Sequence, residues 1–168
     1  MTALTVVRVG LFALTLVALG FVPGVSAANP ASATGNGDFL VNVDQLRTFS
    51  FSAIQQPNGK VAGQAESHNH TTGGVAHMDI DCLRVIGNMA FVSGTITKSN
   101  ISINNVSIVG QIGVFAAQDN GEGSTSTPDG LSPVSIFDPS QGVSCQSNIT
   151  FGTIPILHGN IQVRPAAD

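Results

Sequence analysis

Three histidines and two carboxylates stand at spacings that suit metal chemistry. Glu66, His68 and His70 occupy alternate positions, and His77 and Asp79 repeat that alternation shortly afterwards. In an extended strand alternate side chains share a face, so the first three point to one side. A turn through Thr71-Thr72-Gly73-Gly74 sets residue 70 against 75, 68 against 77 and 66 against 79, placing His77 and Asp79 on that same side. Neutral imidazoles and carboxylates bind zinc or copper, and an open coordination position activates water. His68, His70, His77 and Glu66 are therefore the candidate metal set; the competing reading is the solvent face of an ordinary hairpin. A second set of oxygen ligands lies in the loop Asp119-Asn120-Gly121-Glu122-Gly123-Ser124 and its continuation to Asp129-Gly130. Asp119, Asn120, Glu122 and Asp129 offer the hard oxygens that calcium prefers. Their spacing departs from the twelve-residue helix-loop-helix calcium motif, and a solvated connector is the alternative. Cys82 and Cys145 predict one disulfide closing a loop of 63 residues. No Ser sits in a Gly-x-Ser-x-Gly elbow, and no glycine-rich phosphate loop precedes a helix.

The elements that must position these groups are strands. Phe39, Val41 and Val43 alternate with Leu40, Asn42 and Asp44, and Phe49, Phe51 and Ala53 with Thr48, Ser50 and Ser52. Val106, Ile108, Ile112, Val114 and Ala116 share one parity broken by Gly110, and Ile161 and Val163 flank Gln162. This period of two, rich in Val, Ile, Thr and Phe, predicts half-buried strands, and no dozen-residue window reads as an amphipathic helix. The expected fold is all-β: an antiparallel β-barrel of about six to nine strands, with a β-sandwich as the alternative. Pro57-Asn58-Gly59 fits a three-residue hairpin loop that pairs 53 with 63, 51 with 65 and 49 with 67. Gly87-Asn88 begins a further hairpin. The apolar parity switches near Cys82-Leu83, which predicts a bulge, and the small residues 63, 65 and 94 suit a strongly bent sheet. Ile80 and Cys82 are assigned to the apolar face with Met78, and a last strand around Gly159–Arg164 is expected to close against an early one.

Residues 1–27 read as an export signal: Arg8, the apolar run Leu11–Val22, Pro23-Gly24, then small residues ending at Ala27. The apolar run is shorter than the roughly 20 residues that span a bilayer core. Residues 28–37 read as a flexible lead-in and 38–168 as a single all-β domain, secreted, with no membrane association after cleavage. The chain has no Trp and no Tyr, which removes the usual stacking platforms for sugars and single-stranded nucleic acid. Its formal charge is −4, and loss of Arg8 with the signal makes it −5. The remaining cations, Arg47, Lys60, Arg84, Lys98 and Arg164, are scattered, so a nucleic acid partner is excluded.

Arg47-Thr48-Phe49-Ser50-Phe51-Ser52-Ala53, Cys82 through Ala90, Ser93-Gly94, Asp119-Asn120-Gly121-Glu122 with Asp129, and Gly159-Asn160-Ile161-Gln162-Val163 together form a pattern over residues 38–164. In it the chain resembles a group of uncharacterised secreted bacterial β-domains, some of them attached to larger surface proteins. The resemblance implies an exported barrel-like domain and no catalytic residue; the three histidines are outside its pattern. The expected function is a non-enzymatic extracellular binding or surface-interaction module with an extracellular partner or small ligand. The alternative is a small barrel enzyme or ligand carrier with an interior cavity, metal-dependent through His68, His70 and His77. A solid core separates the first from a concave pocket with polar groups, which marks the second.

Overall fold

The computed structural model describes residues 29–122 and 127–167; the export-signal assignment to 1–27 lies outside them, as do Gly123 and Ser124. Twelve strands follow one another: β1 Ser32–Val41, β2 Gln45–Gln55, β3 Val61–Asn69, β4 Gly74–Ile86, β5 Met89–Ser99, β6 Ser102–Ile103, β7 Val106–Ser107, β8 Ile112–Gln118, β9 Gly130–Leu131, β10 Ser135–Phe137, β11 Ile154–Pro155 and β12 His158–Arg164. Ten form one antiparallel sheet in the order β11-β9-β8-β5-β4-β3-β2-β1-β12, with β10 also on β8; β6 and β7 pair separately. The sheet curls strongly into a half-barrel. The count exceeds the expected six to nine because β9, β10 and β11 are fragments of two or three residues; seven strands have seven residues or more. No helix among the described residues is long and apolar enough to cross a membrane.

The first hairpin has the register its turn chemistry dictates: Ala53 pairs Gly63, Phe51 pairs Ala65 and Phe49 pairs Ser67. Gly59, at φ +80°, supplies the left-handed residue of that three-residue loop. The β4–β5 hairpin turns on Gly87-Asn88, with Ile86 opposite Met89. Two irregularities interrupt that ladder. Asp81 is an extra residue on β4 between Ile80 and Cys82, and Thr97 is an extra residue on β5. The Asp81 bulge is the predicted parity switch. It also corrects the placement of Cys82, which pairs with Ser93 and leaves the face shared by Met78 and Ile80. Sharp bending brings backbones close: a Cβ on Gly63 would collide with the Ser52 carbonyl, and one on Gly94 with that of Asp79.

Residues 32–37 are not a flexible lead-in. They are the first half of β1, paired with β2 on one side and β12 on the other. Polar Ser32, Thr34 and Asn36 alternate with small Ala33, Gly35 and Gly37, a weak pattern because no large apolar side chain marks the inner face, yet ladder hydrogen bonds need only backbone. The smallness is required, since a Cβ on Gly35 would lie 2.6 Å from the Phe51 ring. Val43, read as an inward strand residue, stands fully exposed in the β1–β2 turn after Asn42, whose φ is +60°. The run from Val106 to Ala116 is likewise two strands rather than one, broken by a turn in which Gly110 has φ +87°.

The core fills the concave side. Phe39 meets Phe49 edge to face at 5.9 Å, Phe49 stacks on Phe51 at 6.2 Å, and Phe51 meets Phe115 across the interior at 5.2 Å. Ala33, Ala53, Ile80, Val92, Leu131 and Ile161 close around them. Burial of these rings and aliphatic side chains is the main stabilising contribution, roughly 1.5–3 kcal/mol for each large side chain. Ser93, Val114 and Ala116 are also buried, outside the main core cluster, and the segment after β10 reaches Ser93, whose hydroxyl accepts the Cys145 amide at 3.0 Å. Cys82 and Cys145 join that segment to β4 as a disulfide with Cα atoms 5.8 Å apart. Arg84 latches the same segment, donating from Nε to the Cys145 carbonyl at 2.8 Å while its guanidinium lies 4.3 Å from the Phe91 ring centroid.

Candidate functional site

The histidine face is on the outside of the sheet, and its partners differ from the expected ones. Asn69 starts the β3–β4 turn by accepting the amides of Thr71 and Thr72 on its side-chain oxygen, at 3.0 and 3.2 Å. The turn is therefore His70 to Gly73, and the register slips by two from the predicted one. Glu66 faces His77, and His68 faces Val75 instead of His77. A slip of two keeps every side chain on its predicted face but changes its neighbours. His77 Nδ1 lies 3.2 Å from the Glu66 carboxylate. His70, in the turn, meets the Thr48 hydroxyl through Nε2 at 3.1 Å, and its ring lies 4.2 Å from that of His68. The candidate metal set is thus divided into two pairs, and among the described residues no three His, Cys, Asp or Glu side chains gather around one point.

The candidate calcium residues are brought together for another purpose. β12 pairs with β1 along one edge only, so amides on its other edge need acceptors. Asp129, buried, accepts the Ile161 amide on Oδ2 at 2.7 Å and the Asn120 amide on Oδ1 at 2.8 Å. Asp119 accepts the Val163 amide on Oδ2 at 2.9 Å and the Gly121 amide on Oδ1 at 2.9 Å. Glu122 accepts from the Asn160 side chain at 3.0 Å, and Asn120 takes a bond from Asn88. The carboxylate oxygens face N–H donors that a cation would have to displace. These residues bridge the seam of the half-barrel between the β8 end and β12.

The site that sequence reasoning missed is inside. One end of the barrel holds a cavity of about 240 Å³ beneath the β6–β7 hairpin. Phe39, Phe49, Phe51 and Phe115 line its aromatic side, Met78 and Ile96 its wall, and Ile101, Ile103, Ile108, Val134 and Ile136 its mouth. Ser67, Asn69 and Ser132 contribute polar groups. Arg47 is the one cation among the lining residues. Its Cα partners are Phe39 on β1 and Asn69 on β3, and it shares the inward parity of Phe49 and Phe51. Its Nε is buried without a hydrogen-bond partner, and among the described residues no carboxylate pairs with it. The signal was present in the sequence: counting back by two from Ala53, Phe51 and Phe49 arrives at Arg47 on the apolar face. Outside the cavity, His158 meets the Asp38 carboxylate through Nδ1 at 3.0 Å, an exposed pairing that ties the start of β12 to β1. No known protein family, curated protein or solved structure matches the chain.

Proposed function

We propose that this protein is a secreted, non-enzymatic binding protein that takes a small apolar ligand into the open end of its barrel. The observation that carries this reading is the cavity itself. A domain acting only through its outer surface has no use for 240 Å³ of unfilled space walled by four phenylalanines, because unfilled apolar volume weakens packing. Small-molecule sites are concave and mostly apolar, with a few polar groups that set orientation, and this one has that composition. Ile103 and Val106, which pair across the β6–β7 hairpin at the mouth, are each half or more exposed and give an arriving apolar ligand a first contact. The export-signal grammar of residues 1–27 and the disulfide support an extracellular or periplasmic setting. His68, His70 and His77 are not among the residues lining the cavity, so metal-dependent chemistry is not part of the reading.

The test is titration of octan-1-ol into ¹⁵N-labelled protein. Saturable shifts at Phe49, Met78 and Ile96, with a Kd on the order of 1 mM or tighter, are the expected result. Ala76→Leu, which places a larger side chain in the same cavity, removes them. Shifts scattered over the outer surface, or saturable binding unaffected by Ala76→Leu, would refute the reading.

A further inference from the structure

We propose that the ligand is an acid: a compact amphiphile whose carboxylate is held by Arg47 and whose apolar tail lies against the phenylalanines. The inference rests on the cavity reading and adds the chemical class of the ligand. Arg47 is placed for this by its strand. It lies on the inward face of β2 between Phe39 and Asn69, and it brings the only positive charge among the residues lining the cavity. A guanidinium is expected to have its N–H donors paired when it leaves bulk water. Arg47 as a whole is half-buried, and its Nε is fully buried and unpartnered. Glu66 also lines the cavity, but its carboxylate is engaged with His77 on the outer face of the sheet. The site therefore has an uncompensated cation at one side of an apolar space.

A carboxylate answers that cation better than a neutral polar group does. The planar fork of arginine matches two carboxylate oxygens with two parallel hydrogen bonds, and the low polarity of the surroundings strengthens them. Ser67 and Asn69, inward on the neighbouring strand, offer a hydroxyl and an amide nitrogen beside the same position. Size follows from volume. A 150 Å³ apolar cavity holds benzene, so 240 Å³ accepts about ten non-hydrogen atoms. Octanoate sits at that limit as a chain, and 3-phenylpropanoate, one atom larger, fits as a ring with its carboxylate at Arg47 outside the apolar space.

The experiment is calorimetric titration of the purified protein at pH 7 with octanoate, 3-phenylpropanoate and octan-1-ol, repeated on Arg47→Met and Arg47→Lys. At least one of the two acids is expected to bind tenfold or more tightly than the alcohol. Arg47→Met should weaken that acid about 10- to 100-fold and octan-1-ol far less, and a dispersed ¹H–¹⁵N spectrum shows that the variant is folded. Arg47→Lys should recover part of the loss, because a point charge replaces a fork. The tighter acid distinguishes a chain ligand from a ring. Equal affinity for alcohol and acids, or acid binding indifferent to Arg47→Met, overturns the acid assignment and leaves the cavity reading intact. Absence of binding by all three compounds overturns both.

Discussion

Asp81 shows at the scale of one residue how an inserted side chain acquires unusual chemistry. It is the extra residue of the β4 bulge, and partial burial pushes its carboxyl above the ordinary aspartate range against the lowering effect of its own backbone amide. A raised native pKa means that folding favours the protonated form. The charge then costs nothing below the unfolded value near 3.8, and the full cost is present once the pH exceeds the native value. Asp81→Asn is therefore expected to raise the melting temperature at pH 7, by about 1 °C because the residue is largely solvated. The gain should vanish at pH 3, and thermal melts at the two pH values check it. Arg47 is the opposite case, a charge whose place is legible from parity alone but whose lack of a partner is not. Glu66 and His77 lie between these. Their common face follows from the period of two, whereas their pairing depended on Asn69 starting the turn one residue early.

Among the elements, β12 ends the sheet order, and two aspartates cover its free edge. The carboxylates of Asp119 and Asp129 cap the Val163 and Ile161 amides on an edge that would otherwise invite another strand. Asp129→Ala orphans two amides, those of Asn120 and Ile161. A loss of about 2–4 kcal/mol in urea unfolding is expected, with faster hydrogen exchange at Ile161 and Val163 than along β3. Unchanged exchange at those two amides would show that the carboxylates do not hold the seam. In the sequence the same residues looked like calcium ligands, because oxygen-rich side chains in a long glycine-containing loop serve cations and backbone amides equally well. What decides between them is the location of β12, more than 30 residues further along the chain.

For the whole molecule, the disulfide joins the outer covering segment to the middle of β4. Closing a loop of 63 residues restricts the unfolded chain, a contribution on the chain-entropy model of about 4 kcal/mol. Cys82→Ser with Cys145→Ser is expected to lower stability by about 2–4 kcal/mol in urea unfolding. Octan-1-ol binding in the folded state should persist, since the bridge lies on the convex side and the cavity on the concave one. Loss of binding with the fold retained would show that the outer segment shapes the interior.

Strand periodicity, the Pro57-Asn58-Gly59 loop and the bulge near Cys82 are local: each depends on residues within a few positions, so the sequence by itself determined the all-β class, the first hairpin register and the inward set Phe49, Phe51 and Ala53, but not the sides of Cys82 and Val43. The two cysteines likewise determined the disulfide, having only each other to pair with. Tertiary structure alone decided the rest. The first half of β1 is a strand because β2 and β12 flank it, although residues 32–37 carry no large apolar side chain to mark an inner face. The seam is closed by acids because a distant edge strand offers bare amides. The cavity exists because a curled sheet bends around side chains too few to fill one end, and unfilled volume is a property of the whole enclosure rather than of any segment that bounds it.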